Sequence, residues 1–310
     1  MNFLVRLDES KYPAQALDKF AANSQFGLDN ARAMMWLSQL AYETDDEPKV
    51  ERILGRLQLK KLGFKTNDSA TGLPPHSACV VIAEGHGATF VMFAGSDPGK
   101  FEDWVTDFDA MPSAEGLHTG FQEAVKTVLP VIAVAFAKRT APSQPVFFTG
   151  HSLGGALAIV AASLVAIEPK VQVVVYTFGS PRTGGVKFFD DYAQRLGGST
   201  FRLINGTDIV PTVPLPLSGG YRHVGQAIQC KTDGIFDLQT PAISPNENKP
   251  DLLQSAMESA IADLGAVKAV QLISGLGLGQ FSQLTKLLPR MVRDHIPDNY
   301  FRALSIEIVR

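Results

Sequence analysis

Cysteine is nearly missing from this chain. Its 310 residues include two, Cys79 and Cys230, too few for a disulfide framework and without the paired spacing of a metal site. Two buried free thiols are the expectation. Any run of about 18 apolar residues is also missing, so no transmembrane helix is expected. The nearest stretch, Val125 to Ala137, is short and carries Lys126 and Pro130. Excess charge is lacking as well. With 28 basic and 31 acidic residues the formal net charge is −3, which gives no footprint of an electrostatic nucleic-acid binder. The opening MNFLVRLDESKYPAQAL has no basic region followed by an apolar stretch, so it does not read as a secretory signal peptide. Localisation stays open between the cytoplasm and export by another route.

What is present is ordinary globular composition, 45% hydrophobic and 19% charged, enough to bury a sizeable core. There is no internal repeat and no Pro/Gly/Ser-rich linker, so one domain is expected. Residues 14–26, 28–43 and 48–61 read as helices. The second has an apolar stripe through Ala31, Met34, Met35, Leu37, Leu40 and Ala41. Ala78–Ala83 and Ala88–Ala94 are short β-rich runs on either side of EGHG, a hairpin signal. Residues 95–117 read as a long loop, and long loops are often functional. After it, apolar strands at Val146–Thr149, Val171–Phe178 and Thr200–Ile204, and a further strand over 222–230, alternate with helices over 119–138, 152–167 and 184–196. That alternation predicts an α/β fold with a mostly parallel central sheet. Residues 236–250 read as loop and 251–292 as helical, interrupted by glycines. The SGLGLGQ stretch within them follows no strand and lacks a Walker lysine, so it is no phosphate loop.

Gly150-His151-Ser152-Leu153-Gly154 fits G-x-S-x-G, between an apolar strand and an apolar helix. The serine in such an elbow sits in a sharp, strained turn, and a side chain two positions away on either side would strike the crossing backbone. The turn lifts the Ser152 hydroxyl above the sheet edge at the positive end of the following helix. The Leu153 N–H then points towards a developing oxyanion. A serine nucleophile needs a base and an acid, which in this arrangement follow it in the order acid, then histidine. Asp208 lies just beyond strand 200–204, at the carboxyl end where such sheets place their sites. Of six histidines, His151 is inside the elbow, and His76, His86 and His118 precede it. His223 opens strand 222–230, at the end away from a site. His295, in a loop beside Asp294 and Pro297, is the preferred base, with His223 the runner-up.

These residues together resemble the fungal-type, class three triacylglycerol lipases of the α/β-hydrolase superfamily. The similar segments are NARAMMWLSQLAY, VMFAGSDPGKFEDWVTDFDA, GLHTGFQEA, VFFTGHSLGGALA, TFGSPRTGG, RLINGTDIVPTVP, GYRHVG and DHIPDNYF, and they run from about residue 28 to 305. The resemblance implies the triad Ser152, Asp208 and His295. It implies that Ser96 joins the Leu153 N–H in the oxyanion hole, and that Lys100–Thr106 forms a lid helix with Phe101, Trp104 and Val105 as its apolar face. It also implies a lipid or ester substrate at an oil–water or membrane interface and calls for no metal or organic cofactor; no nucleic acid is expected, no protein partner is implied, and the oligomeric state is open. Lipase action on acylglycerols is the leading expectation. Phospholipase or feruloyl-type esterase action is the alternative, and non-catalytic lipid binding ranks below both. The chain departs from the family at Ala94, where arginine is frequent. It also has an apparent insertion over 236–290 and a stretched spacing between His295 and Tyr300.

Overall fold

The computed structural model describes residues 6–66, 78–96, 113–114, 116–165, 171–214, 220–230, 233–237 and 290–308. The lid expected around Lys100–Thr106, and most of the 236–290 segment, lie outside these described residues. The chain order is α1 (Leu28–Leu40), α2 (Glu47–Arg56), β1 (Lys60–Lys65), β2 (Val80–Gly85), β3 (Ala88–Phe93), α3 (Thr119–Lys126) and α4 (Leu129–Ala137). Then come β4 (Val146–His151), α5 (Leu153–Leu164), β5 (Val173–Phe178), α6 (Val186–Arg195), β6 (Thr200–Asn205), β7 (Gln226–Cys230), α7 (Arg290–His295) and α8 (Pro297–Ala303).

The seven strands among the described residues form one sheet in sequential order. β1, β2 and β3 pair antiparallel, and β3 through β7 pair parallel. Parallel neighbours need crossovers; those from β3 to β6 run through helices, and between β6 and β7 the described residues include only the 3-10 turn Val210–Thr212. Alternation along each strand divides the core between two faces. Val91, Phe93, Val146, Phe148 and Val175 pack on the side of α3–α6. Phe90, Met92, Phe147, Val174 and Tyr176 pack on the side of α1, α2 and α8. Both faces are covered, and this explains why β4 and β5 read as unbroken apolar runs.

Several boundaries differ from the sequence reading. Residues 14–26 form turns, anchored by buried Leu17 and by Phe20 packed edge-on against Phe90 and Phe147. The helix expected over 48–61 ends at Arg56, and residues 60–65 become edge strand β1, a polar run with one buried side chain, Leu62. The helix expected over 119–138 is two, meeting at 44°, with Pro130 in the first turn of the second. Gly225 at φ +71° delays β7 to Gln226. Both cysteines are free thiols; Cys230 is buried and Cys79 half-buried. Among the described residues no single helix is long and apolar enough to cross a membrane.

Asp237 and Arg290 flank residues 238–289, and the chain is pinned beside both. Phe236 is buried, stacks on Tyr300 at 6.4 Å, and donates its N–H to the Ala303 carbonyl at 2.8 Å. Asp233 pairs with Arg290 and also lies near Arg302.

Candidate active site

The carboxyl ends of β4, β5 and β6 meet where the chain turns into its helices, and the candidate residues gather there. β4 runs into the elbow, and Ser152 takes φ +58°, ψ −131° before α5 begins at Leu153. A non-glycine residue at positive φ is strained by about 1–3 kcal/mol, so the surroundings must over-determine it. The Ser152 N–H donates to the Phe178 carbonyl at 2.8 Å, and its own carbonyl accepts from Gly155 at 2.9 Å. Glycine is mandatory on both sides. A Cβ on Gly150 would lie 2.2 Å from the Gly154 carbonyl carbon, and one on Gly154 would lie 2.4 Å from the Phe93 carbonyl oxygen. The first N–H groups of an α-helix have no partner within it, so Leu153 at the start of α5 presents its N–H at the elbow. Ser96 follows the end of β3 and is half-buried. A Cβ on its neighbour Gly95 would lie 2.6 Å from the His151 carbonyl oxygen, so the β3 exit runs directly against the elbow.

Asp208 leaves β6 in the turn after Asn205, and its side chain is fully buried. His295 Nδ1 lies 2.9 Å from both of its carboxylate oxygens. A carboxylate only accepts, so Nδ1 carries the proton and the ring presents its lone pair from Nε2. Asp208 Oδ1 also accepts from the Val210 N–H at 2.9 Å, and Oδ2 from the Tyr300 hydroxyl at 2.6 Å. Burial and the adjacent Asp208 charge push the Tyr300 phenol well above its ordinary value, so it stays a donor. Gly179, at φ +58°, lines the same spot. A Cβ there would lie 2.5 Å from Asp208 Oδ2 and 2.9 Å from His295 Nδ1.

Next to His295, Asp294 accepts from both the N–H and the hydroxyl of Thr207 at 2.9 Å. The Asn205 amide donates to the Asp294 carbonyl at 2.9 Å. These bonds tie α7 to the β6 turn that carries Asp208. His223 sits elsewhere. Its Nε2 bonds the Pro211 carbonyl at 2.7 Å. Burial first, and then Arg202 and Arg182, hold its pKa well below the usual histidine range. The sequence assigns no site role to Tyr42 or Tyr300, and places His151 only inside the elbow. The sole signal for Tyr300 was its place in the DHIPDNY run, and its partners lie 92 and 95 positions away.

Comparison with known proteins fits this geometry. Residues 90–218 match the family described as lipase (class 3). The similarity to class 3 lipases lies in that segment. A secreted mono- and diacylglycerol lipase of Fusarium solani is 39% identical over 129 residues, covering 39% of this chain and 38% of that protein. A lipase of Rhizomucor miehei is 31% identical over 162 residues, covering 48% of this chain and 44% of its own length. The chain thus spans well under two thirds of the curated relatives it matches. Among solved structures, a triacylglycerol lipase described as having a serine protease triad at its catalytic centre aligns with TM-score 0.52 at 23% identity, over 65% of this chain and 79% of its own. The Rhizomucor miehei triacylglyceride lipase aligns with TM-score 0.53 at 20% identity, over 71% and 92%. At that identity these structural likenesses carry the fold alone. The fold is that of the α/β-hydrolases, and the elbow and Asp208 fall within the class 3 lipase segment, with His295 beyond it.

Proposed function

We propose that this protein is a serine carboxylic ester hydrolase acting on acylglycerols. The observation that carries the reading is the buried Asp208 carboxylate on His295 Nδ1, assembled beside a strained serine at a helix N-terminus. Ser152 Oγ attacks the ester carbonyl while His295 Nε2 takes its proton. The tetrahedral oxyanion is held by the N–H groups of Ser96 and Leu153 at the positive end of α5. His295 then returns the proton to the leaving alcohol, and a water activated by the same ring hydrolyses the acyl-enzyme. Asp208 keeps the ring in the Nδ1–H tautomer and stabilises the imidazolium. The balance needs only ester and water. On this reading residues 96–117 supply the oxyanion loop and lid, and the chain is one hydrolase domain. Relatives described as secreted favour an exported protein.

Fluorophosphonate labelling tests the reaction class. Ser152 takes the label and Ser152→Ala loses it together with ester turnover. Turnover and labelling that persist in Ser152→Ala reject Ser152 as the nucleophile, and their absence from the wild-type chain rejects the enzyme reading in favour of lipid binding without chemistry. A panel of emulsified triacylglycerol, mono- and diacylglycerol, phospholipid and short-chain ester separates lipase from phospholipase and esterase.

A further inference from the structure

The elbow turn asks nothing specific of its second residue, yet His151 is buried and fully engaged. Its Nε2 lies 2.7 Å from the His295 carbonyl oxygen. A carbonyl only accepts, so Nε2 carries the proton. In the neutral ring Nδ1 then accepts, and the Tyr42 hydroxyl at 2.7 Å donates to it. Burial first, and then the neighbouring His295, hold the His151 pKa well below the usual range. The ring is therefore neutral and its tautomer fixed. It also lies against the imidazole of His295, with centroids 4.6 Å apart and planes tilted by 31°.

Both ends of this chain of bonds fall where position matters. His295 is the last residue of α7, and helix-end carbonyls look outside the helix for donors. His151 supplies a donor to it. The Tyr42 hydroxyl, in the turn that follows α1, lies beneath Gly95, where a Cβ would come within 2.2 Å of it. Gly95 precedes Ser96, so one phenol touches the β3 exit and, through one imidazole, reaches the main chain of His295.

We propose that Tyr42 and His151 are positioning residues, a two-bond strut that sets the main chain of His295 against the elbow carrying Ser152. The proposal rests on the reading of His295 as the base. Asp208 fixes the ring at Nδ1, but a ring held at one atom still swings with its backbone. The strut holds that backbone, and its own root is covalent, because His151 is the neighbour of Ser152. Proton transfer from Ser152 to His295 then depends on a distance fixed at both ends.

The test uses the full chain with a soluble nitrophenyl ester, and kcat is taken per fluorophosphonate-titrated site. Tyr42→Phe removes one oxygen, His151→Phe keeps a ring without donor or acceptor, and His151→Gln restores a donor near the Nε2 position. Tyr42→Phe and His151→Phe are expected to lower kcat by about tenfold or more with KM unchanged. The double variant should be no worse than His151→Phe alone, as expected for residues acting through one chain of bonds, and His151→Gln should recover most of the loss. Wild-type kcat per site in Tyr42→Phe and His151→Phe overturns the proposal. So does a loss confined to melting temperature and titratable fraction, which marks a merely structural role. If His151→Phe does not fold, Tyr42→Phe decides alone. A wild-type chain with no turnover and no label on Ser152 defeats the hydrolase reading instead, and is told apart by that result.

Discussion

The Ser152 side and the His295 side of this site are held by different physics. Ser152 is positioned by excluded volume. Gly150 and Gly154 leave room for a turn that any side chain would block, and the sheet and α5 hold the backbone on both flanks. His295 is positioned by hydrogen bonds to Asp208, His151 and, through Asp294, Thr207 and Asn205. Steric positioning fails all at once, because packed backbone cannot shift by a fraction of its radius. Positioning by a network fails bond by bond, and each loss is graded.

That contrast can be broken or sharpened by experiment. The largest effect is expected for Asp208→Asn, which removes the charge and the tautomer control but leaves the shape. kcat should fall by roughly ten-thousandfold with little loss of fold, read by turnover beside a thermal melt. Gly150→Val should act the other way round. Its branched side chain meets the Gly154 backbone, and a loss above about 4 kcal/mol is expected, seen as insoluble or unfolded chain. An active, folded Gly150→Val would sink the steric account. Tyr300→Phe deletes one charge-assisted bond to Asp208 and should cost about 1.5–3 kcal/mol of stability, measured by chemical denaturation, with a smaller loss of kcat than Asp208→Asn.

The smallest effect concerns pH. His223 is kept neutral by burial, with Arg202 and Arg182 adding to the depression. The unfolded chain takes up a proton as pH falls through about 6.5, and the native chain does not. Stability is therefore full above about pH 6.5 and declines below it, by at most about 1.4 kcal/mol per pH unit for each such histidine. His151, also held low, acts in the same direction. His223→Gln should flatten the fall in melting temperature between about pH 7 and 5 relative to the wild type. Equal slopes in the two chains would show that His223 does not contribute.

The same contrast explains what could be read from the sequence. The elbow is local, and its steric demand is written in five consecutive residues. The parallel strands are apolar because both faces are covered, and they too could be read. The network was harder to read because its members are scattered. Tyr42 and His151 are 109 positions apart, and Asp208 and His295 are 87. No periodicity links residues at such separations, so chain order and family resemblance nominated His295 over His223. Strand β1 escaped because an edge strand with one buried side chain has no apolar alternation to display. The break between α3 and α4 turned on Pro130, which fits the first turn of a new helix as well as it disrupts an old one.

The clasp around residues 238–289 has a consequence for how such a chain can change. Phe236 and Ala303 are joined by a hydrogen bond, and Asp233 pairs with Arg290. The two ends of the intervening stretch are therefore docked whatever its length. For a flexible connection between two fixed ends, extra length adds only a logarithmic entropy cost, about 0.6 kcal/mol for each doubling. A change of length between Asp237 and Arg290 is therefore expected to leave His295 in place, which fluorophosphonate labelling of a shortened chain would check.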